Sequence, residues 1–302
     1  MLQLILGEAG TGKTTETLRR IRASAARQQP ALLLVPEHAS FEMERRVSAL
    51  FTAEEQRYVT LYSFPRLAEN IFRECGGLAL RPMDEVSRAL LMREAIAEVA
   101  DALTLYRRQA AYPGFVTAML QTVADFKRAG LTPQAVAELS RQTDGALGQK
   151  LRDMQLIFDA FQALVEQRFH DPLDELTLAL ARAEEKNWFA GRQVWVDSFD
   201  YFSVSERAML QHILLTADAL TISMTCPSLD AGEDIFLYQK KFLLRMRAYA
   251  AAHGCECEKP LILTEDKRHQ NAELAALQRA FSLSRRRPFT MRCGLPPPRS
   301  AG

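Results

Sequence analysis

Leu2-Gln3-Leu4-Ile5-Leu6-Gly7-Glu8-Ala9-Gly10-Thr11-Gly12-Lys13-Thr14 is the stretch on which the reading of this chain turns. An apolar run leads directly into G-x-x-x-x-G-K-[ST], matched at every fixed position, which is the pattern of a strand, a phosphate-cradling loop and a helix. Gly7, Gly10 and Gly12 allow the tight backbone path on which successive N–H groups converge on an anion. The candidate nucleotide-binding residues are therefore Gly7, Glu8, Ala9, Gly10, Thr11, Gly12, Lys13, Thr14 and Thr15. Lys13 is expected on the β- and γ-phosphates and the Thr14 hydroxyl on a bridging Mg²⁺. The helix opening at Lys13 turns its positive end to the same charge. The competing reading is an ordinary glycine-rich turn.

Outward from the loop, Leu18, Ile21 and Ala25 recur at helical spacing while Arg19, Arg20 and Arg22 point elsewhere, and the helix is expected to stop near Pro30. Ala31-Leu32-Leu33-Leu34-Val35 then reads as a parallel strand covered on both faces. This βαβ unit implies an α/β open sheet with its ligand at the carboxyl ends of the strands.

The 302 residues suffice for about two domains. A net charge of +1 gives no compositional sign of a nucleic-acid partner. The chain holds no apolar run long enough to span a bilayer and opens on a strand rather than a signal peptide, so no membrane and a cytoplasmic location are expected. The five cysteines, Cys75, Cys226, Cys255, Cys257 and Cys293, are odd in number and scattered. Disulfides are not expected, and Cys255-Glu256-Cys257 lacks the companion pair of a zinc site.

Further strands are predicted at 58–62, 193–196, 220–224 and 261–263. Ser63 is a candidate cap for the helix that follows the first of these, with Leu67, Ile71 and Phe72 on its inner face and Gly76-Gly77 as its stop. From Arg81 the pattern is helices alone. One is predicted over 84–100 with Asp84 as cap and Val86, Leu90, Leu91 and Ile96 inward; another runs from near Pro113 to Gly130. A third covers 146–169 with Leu147, Leu151, Met154, Ile157, Phe158, Phe161 and Leu164 on one stripe, and a fourth starts at Asp171-Pro172. So long a helical stretch within a sheet reads as an inserted subdomain. The expected organisation is 1–80 and 189–280 as two parts of one domain, 81–188 as a helical insertion and 281–302 as an irregular Arg/Pro-rich tail.

Asp197, closing the run Val194-Trp195-Val196, is the candidate second metal residue beside Thr14, the alternative being a turn or capping role. The residue after it is Ser198, a poor general base, so the site reads as built to bind nucleotide more readily than to cleave it. Asp200 could substitute only through a water and, three residues beyond the strand end, is expected to face another way; Ser203 with Glu206 announces a capping box.

LILGEAGTGKTT at the start, LLLVPEHASFEMERRV from Leu32, VTLYSFPRLAENIFRECGG from Val59 and VWVDSFDYFSVSERAML from Val194 together resemble the N-terminal region of the AddB family, the B subunits of bacterial ATP-dependent helicase/deoxyribonucleases. The likeness covers about residues 1–280 in order. It implies a P-loop NTPase fold of the superfamily 1 helicase-like kind, with a RecA-like parallel sheet, ATP and Mg²⁺ as cofactors, Lys13 and Thr14 in the nucleotide motif and Asp197 in the metal motif. It further implies a degenerate scaffold half that contacts DNA in double-strand break repair by recombination, an AddA-type partner that unwinds, and double-stranded DNA ends as substrate. In the family the nuclease domain and its iron-sulfur cysteines lie beyond residue 302, so none of the cysteines here is assigned to that cluster. On this reading the chain is the N-terminal part of a longer protein, and 281–302 is either a disordered tail or the product of a frameshift or incomplete gene. The rival reading is a stand-alone P-loop kinase or small-molecule ATPase, which would need lid arginines such as Arg93, Arg107 or Arg108. A third is a pure interaction module.

Overall fold

The computed structural model describes residues 1–77, 81–171, 173–230, 236–265 and 267. Its centre is a six-stranded, all-parallel sheet in the order β3-β2-β6-β7-β1-β8. The strands are β1 (Leu2–Gly7), β2 (Ala31–Leu34), β3 (Val59–Tyr62), β6 (Gln193–Val196), β7 (Ala219–Thr225) and β8 (Leu261–Leu263). The inner strands are mostly apolar, β2 entirely so, and are buried almost throughout, whereas the edge strands β3 and β8 are partly open, as edges tolerate. Register aligns Leu34 with Val196 and Gly7 with Thr225, so the carboxyl ends of β2, β6, β7 and β1 finish along one rim.

Alternation of side chains along the strands divides two cores between two faces. On one face Leu33, Val35 and Trp195 meet α1 (Lys13–Ala25) and α2 (Glu37–Leu50), which is followed by the single turn α3 (Ala53–Gln56). On the other, Leu4, Leu32, Val194 and Ile222 meet α4 (Phe64–Cys75), α9 (Glu175–Lys186), α10 (Val204–Thr216) and α11 (Leu237–Ala252). A third cluster belongs to helices: α5 (Glu85–Val99), α6 (Pro113–Arg128), α7 (Pro133–Arg141) and α8 (Gly145–Arg168) enclose Met92, Ile157, Phe158 and Phe161.

Several sequence expectations are corrected. Val86 and Leu90 of α5 are 70% and 60% exposed, because Leu91, Met92, Ala95 and Ile96 form the packed face and the other two lie on the opposite side of the helix. Leu147 is exposed in the first turn of α8. The stretch after Arg81 is not helical alone: β4 (Arg81–Pro82) pairs in parallel with β5 (Phe169–His170), so Phe169 leaves the helix. The fourth helix, α9, begins at Glu175; Asp171 instead accepts hydrogen bonds from Arg88 at 2.7 Å and Lys127 at 2.6 Å, and Pro172 lies outside the described residues. Ser63 occupies the cap position of α4 but its hydroxyl makes no capping bond. Helices α2, α7 and α11 carry no expectation from the sequence reading. Asp84, the Ser203–Glu206 box and Gly76 cap as the pattern predicts.

Cys226 is buried and Cys75, Cys255 and Cys257 are half-buried free thiols against the sheet core. Cys293 and the stretch 281–302 lie outside the described residues. Among the described residues no helix is long and apolar enough to cross a membrane.

Candidate nucleotide site

The loop between β1 and α1 is shaped by its glycines and by the strand beside it. Gly10 and Gly12 sit at φ 87° and 86°, the left-handed region that side chains resist. Gly7 is fixed by contact instead: a Cβ there would stand 2.4 Å from Thr11 Oγ1 and 2.6 Å from the Leu263 carbonyl of β8. Thr11, buried, donates its hydroxyl to the Glu8 carbonyl at 2.9 Å and locks the turn. No side chain caps the N-terminus of α1. Its first N–H groups, on Lys13, Thr14 and Thr15, have no acceptor within the helix and face outward with a partial positive charge.

Lys13 folds back over the loop and donates to the carbonyl oxygens of Glu8 at 2.7 Å and Gly7 at 3.2 Å. Burial pushes its ammonium below the ordinary lysine value, while the charges of Asp197 and Glu8 pull it back up. Asp197 acts on Lys13 through its charge, with no ion pair joining the two among the described residues. Asp197 follows β6 directly, its N–H bonded to the Leu34 carbonyl at 3.0 Å, and its side chain is 2% exposed. Among the described residues its carboxylate accepts one hydrogen bond, a long one of 3.4 Å from the Ser198 hydroxyl. Ser198 is left-handed at φ 67°, which ends the strand and sends Phe199 and Phe202 into an aromatic cluster with Phe64. Asp200 is exposed.

A cavity of about 520 Å³ opens over the loop and is lined by Gly10, Gly12, Lys13, Thr14 and Thr15. Gly7, Glu8 and Thr11 shape the loop from behind it, and Ala9 lies in the turn between them. Two lining residues were missed by the sequence reading, Arg46 of α2 and Lys267 beyond β8. No local motif marks either; only the sheet order brings residues 46 and 267 to residue 13. Arg93, Arg107 and Arg108 do not line this cavity; all three are exposed, and Arg107 pairs with Asp101 at 3.3 Å. Among the described residues there is no group of three or more His, Cys, Asp or Glu arranged to hold a metal alone. Of the two candidate metal residues, Thr14 lines this cavity and Asp197 does not.

The family described as ADDB, N-terminal, matches residues 4–278. The chain belongs to the AddB N-terminal family. Curated proteins named as the B subunit of an ATP-dependent helicase/deoxyribonuclease are similar along almost the whole chain. The one from Moorella thermoacetica is 32% identical over 95% of this chain and 26% of its own length. Those from Caldanaerobacter subterraneus subsp. tengcongensis and Clostridium tetani are 28% and 29% identical over 93% and 88% of this chain, and 25% and 24% of their own. The chain thus spans about a quarter of the length of these curated relatives. As an AddB N-terminal sequence it carries its phosphate loop at the start of the matched region.

Proposed function

We propose that this chain is the nucleotide-binding, helicase-like scaffold portion of the B subunit of an ATP-dependent DNA helicase/deoxyribonuclease acting in recombinational repair of double-strand breaks. The observation that carries the reading is Lys13, half-buried on a glycine-shaped loop beneath an uncapped helix N-terminus in a chain of this family. ATP with Mg²⁺ supplies a bound polyphosphate charge; Lys13 and the α1 N–H groups would hold it, with Thr14 and Asp197 facing the metal. The all-parallel sheet supports a RecA-like, superfamily 1 architecture, and the separate core of α5 to α8 supports a helical insertion within 81–188. Helix α9 packs with the sheet-side core, so the insertion's own core closes before it. The stand-alone kinase reading draws no support from the family match.

By the same reading the partner is an AddA-type subunit, the substrate is double-stranded DNA ends, the compartment is the cytoplasm, and any iron-sulfur cluster belongs to a nuclease half outside these residues. A DNA strand would cross the carboxyl rim, where Tyr201 stands 70% exposed beside Pro36, His38 and Pro65. Base stacking on such a ring contributes about 1 to 3 kcal/mol.

Calorimetric titration of Mg²⁺-ATP into the chain and its Lys13→Ala variant tests the reading. Loss of the charge-assisted contact should weaken binding by about 1.5 to 3 kcal/mol. Equal affinities would sink it. Because Ser198 cannot serve as a strong base, turnover should be near zero with or without DNA, and robust ATP hydrolysis abolished by Lys13→Ala would contradict the scaffold role.

A further inference from the structure

Resting on that nucleotide-binding reading, the geometry points to a site that grips the polyphosphate chain and does not select the base. Among the described residues the cavity wall consists of three cations, Lys13, Arg46 and Lys267, two threonine hydroxyls and two glycines. It offers no aromatic ring to stack on a base and no amide or carboxylate side chain to pair with a base edge. Strong discrimination between similar ligands requires such polar groups, left unpaired by the wrong ligand. A wall of cations instead rewards every ligand that carries the same phosphates.

The two added cations are placed for that role by different means. Arg46 is tethered through Nε to Glu42 Oε1 at 3.0 Å, an anchor that also draws Arg45, and no described residue takes its terminal nitrogens. Those nitrogens form the planar fork suited to phosphate. Lys267 is pinned at its backbone, where its N–H donates to the Gly10 carbonyl at 2.9 Å. Its stem passes over the loop, with Cδ 3.2 Å from where a Cβ on Gly12 would be, and its ammonium has no carboxylate partner among the described residues. Segments more than two hundred residues apart thereby place positive charge on both sides of the α1 N-terminus.

The test is calorimetry on the full 302-residue chain with the Mg²⁺ complexes of ATP, GTP, CTP and inorganic tripolyphosphate. All four should bind within about threefold of one another. Arg46→Ala and Lys267→Ala should each weaken all four in parallel by about three- to tenfold, an effect shrinking with added salt. Glu42→Gln, which leaves Arg46 in place and frees it, should tighten all four. Both cations are surface residues, and an unchanged unfolding midpoint confirms intact variants. A tenfold preference for ATP over GTP and tripolyphosphate, or wild-type affinity in both alanine variants, overturns the inference while nucleotide binding stands. No binding by any ligand, or binding indifferent to Lys13→Ala, overturns the parent reading and the inference together.

Discussion

Asp153 in the helical layer and Asp197 at the rim of the sheet are equally hidden, 1% and 2% exposed, yet they are used in opposite ways. Asp153 accepts from the N–H groups of Thr104, Leu105 and Tyr106 and from the Thr104 hydroxyl, at 2.7 to 3.2 Å. It folds the connection between α5 and α6 onto α8, and its acceptor capacity is filled. Asp197 has one long bond to Ser198 and the nearby charge of Lys13. A buried carboxylate with unfilled acceptor sites costs stability, and the metal proposed beside it would fill them. The helical layer spends its buried charge on structure; the sheet rim keeps its own in reserve.

Substitutions can break or sharpen that contrast. The largest effect is expected at Lys127, 5% exposed, which bonds to Asp171 and Asp174 at 2.6 Å each while Arg88 also reaches Asp171. Lys127→Met removes the cation from a buried pair and should cost about 3 to 5 kcal/mol in urea unfolding. Asp153→Ala should cost about 3 kcal/mol, since three backbone donors lose their acceptor at once. Asp197→Asn should move unfolding by less than about 1 kcal/mol, or stabilise the chain, while weakening Mg²⁺-nucleotide binding. Equal destabilisation by the two aspartate changes would erase the distinction. Ser198→Gly relieves a left-handed backbone and should raise stability by about 0.5 kcal/mol.

The smallest expected effect is on pH dependence. Burial pushes His212 below its ordinary value of 6.5, with Glu184 pulling weakly the other way. The folded chain therefore binds this proton less readily than the unfolded chain. Stability should fall as pH drops below 6.5, and His212→Gln should flatten that slope in thermal melts.

Much of this was legible in the sequence. The loop motif shows through fixed positions, and β2 through its unbroken apolar run, because both signals are local. The place of Asp197 at the end of β6 was legible because the apolar run Val194-Trp195-Val196 stops there. Arg46 and Lys267 were not, since their place at the cavity follows from the order β7-β1-β8 and the seat of α2, which no spacing encodes. Val86 and Leu90 misled for a related reason: an apolar residue marks a face, but which face is packed depends on the neighbouring helix. Asp153 looked like any polar residue in a long helix, and only the connection folded upon it gives it a task.

The pairing of β1 carries a consequence in time. Leu2 lies beside Leu220, and Ile5 beside Leu261, so β1 finds both of its neighbours in strands made more than two hundred residues after it. At synthesis rates of about 5 to 20 residues per second, the wait for β8 is roughly 13 to 50 s. Until β8 arrives, the Leu263 carbonyl that bounds the space beside Gly7 is missing and the loop has only its own contacts, such as Thr11 to Glu8, to hold it. The loop motif is therefore made well before the strand that packs beside it, and on the proposed reading nucleotide capture would report that β1 has gained both of its neighbours.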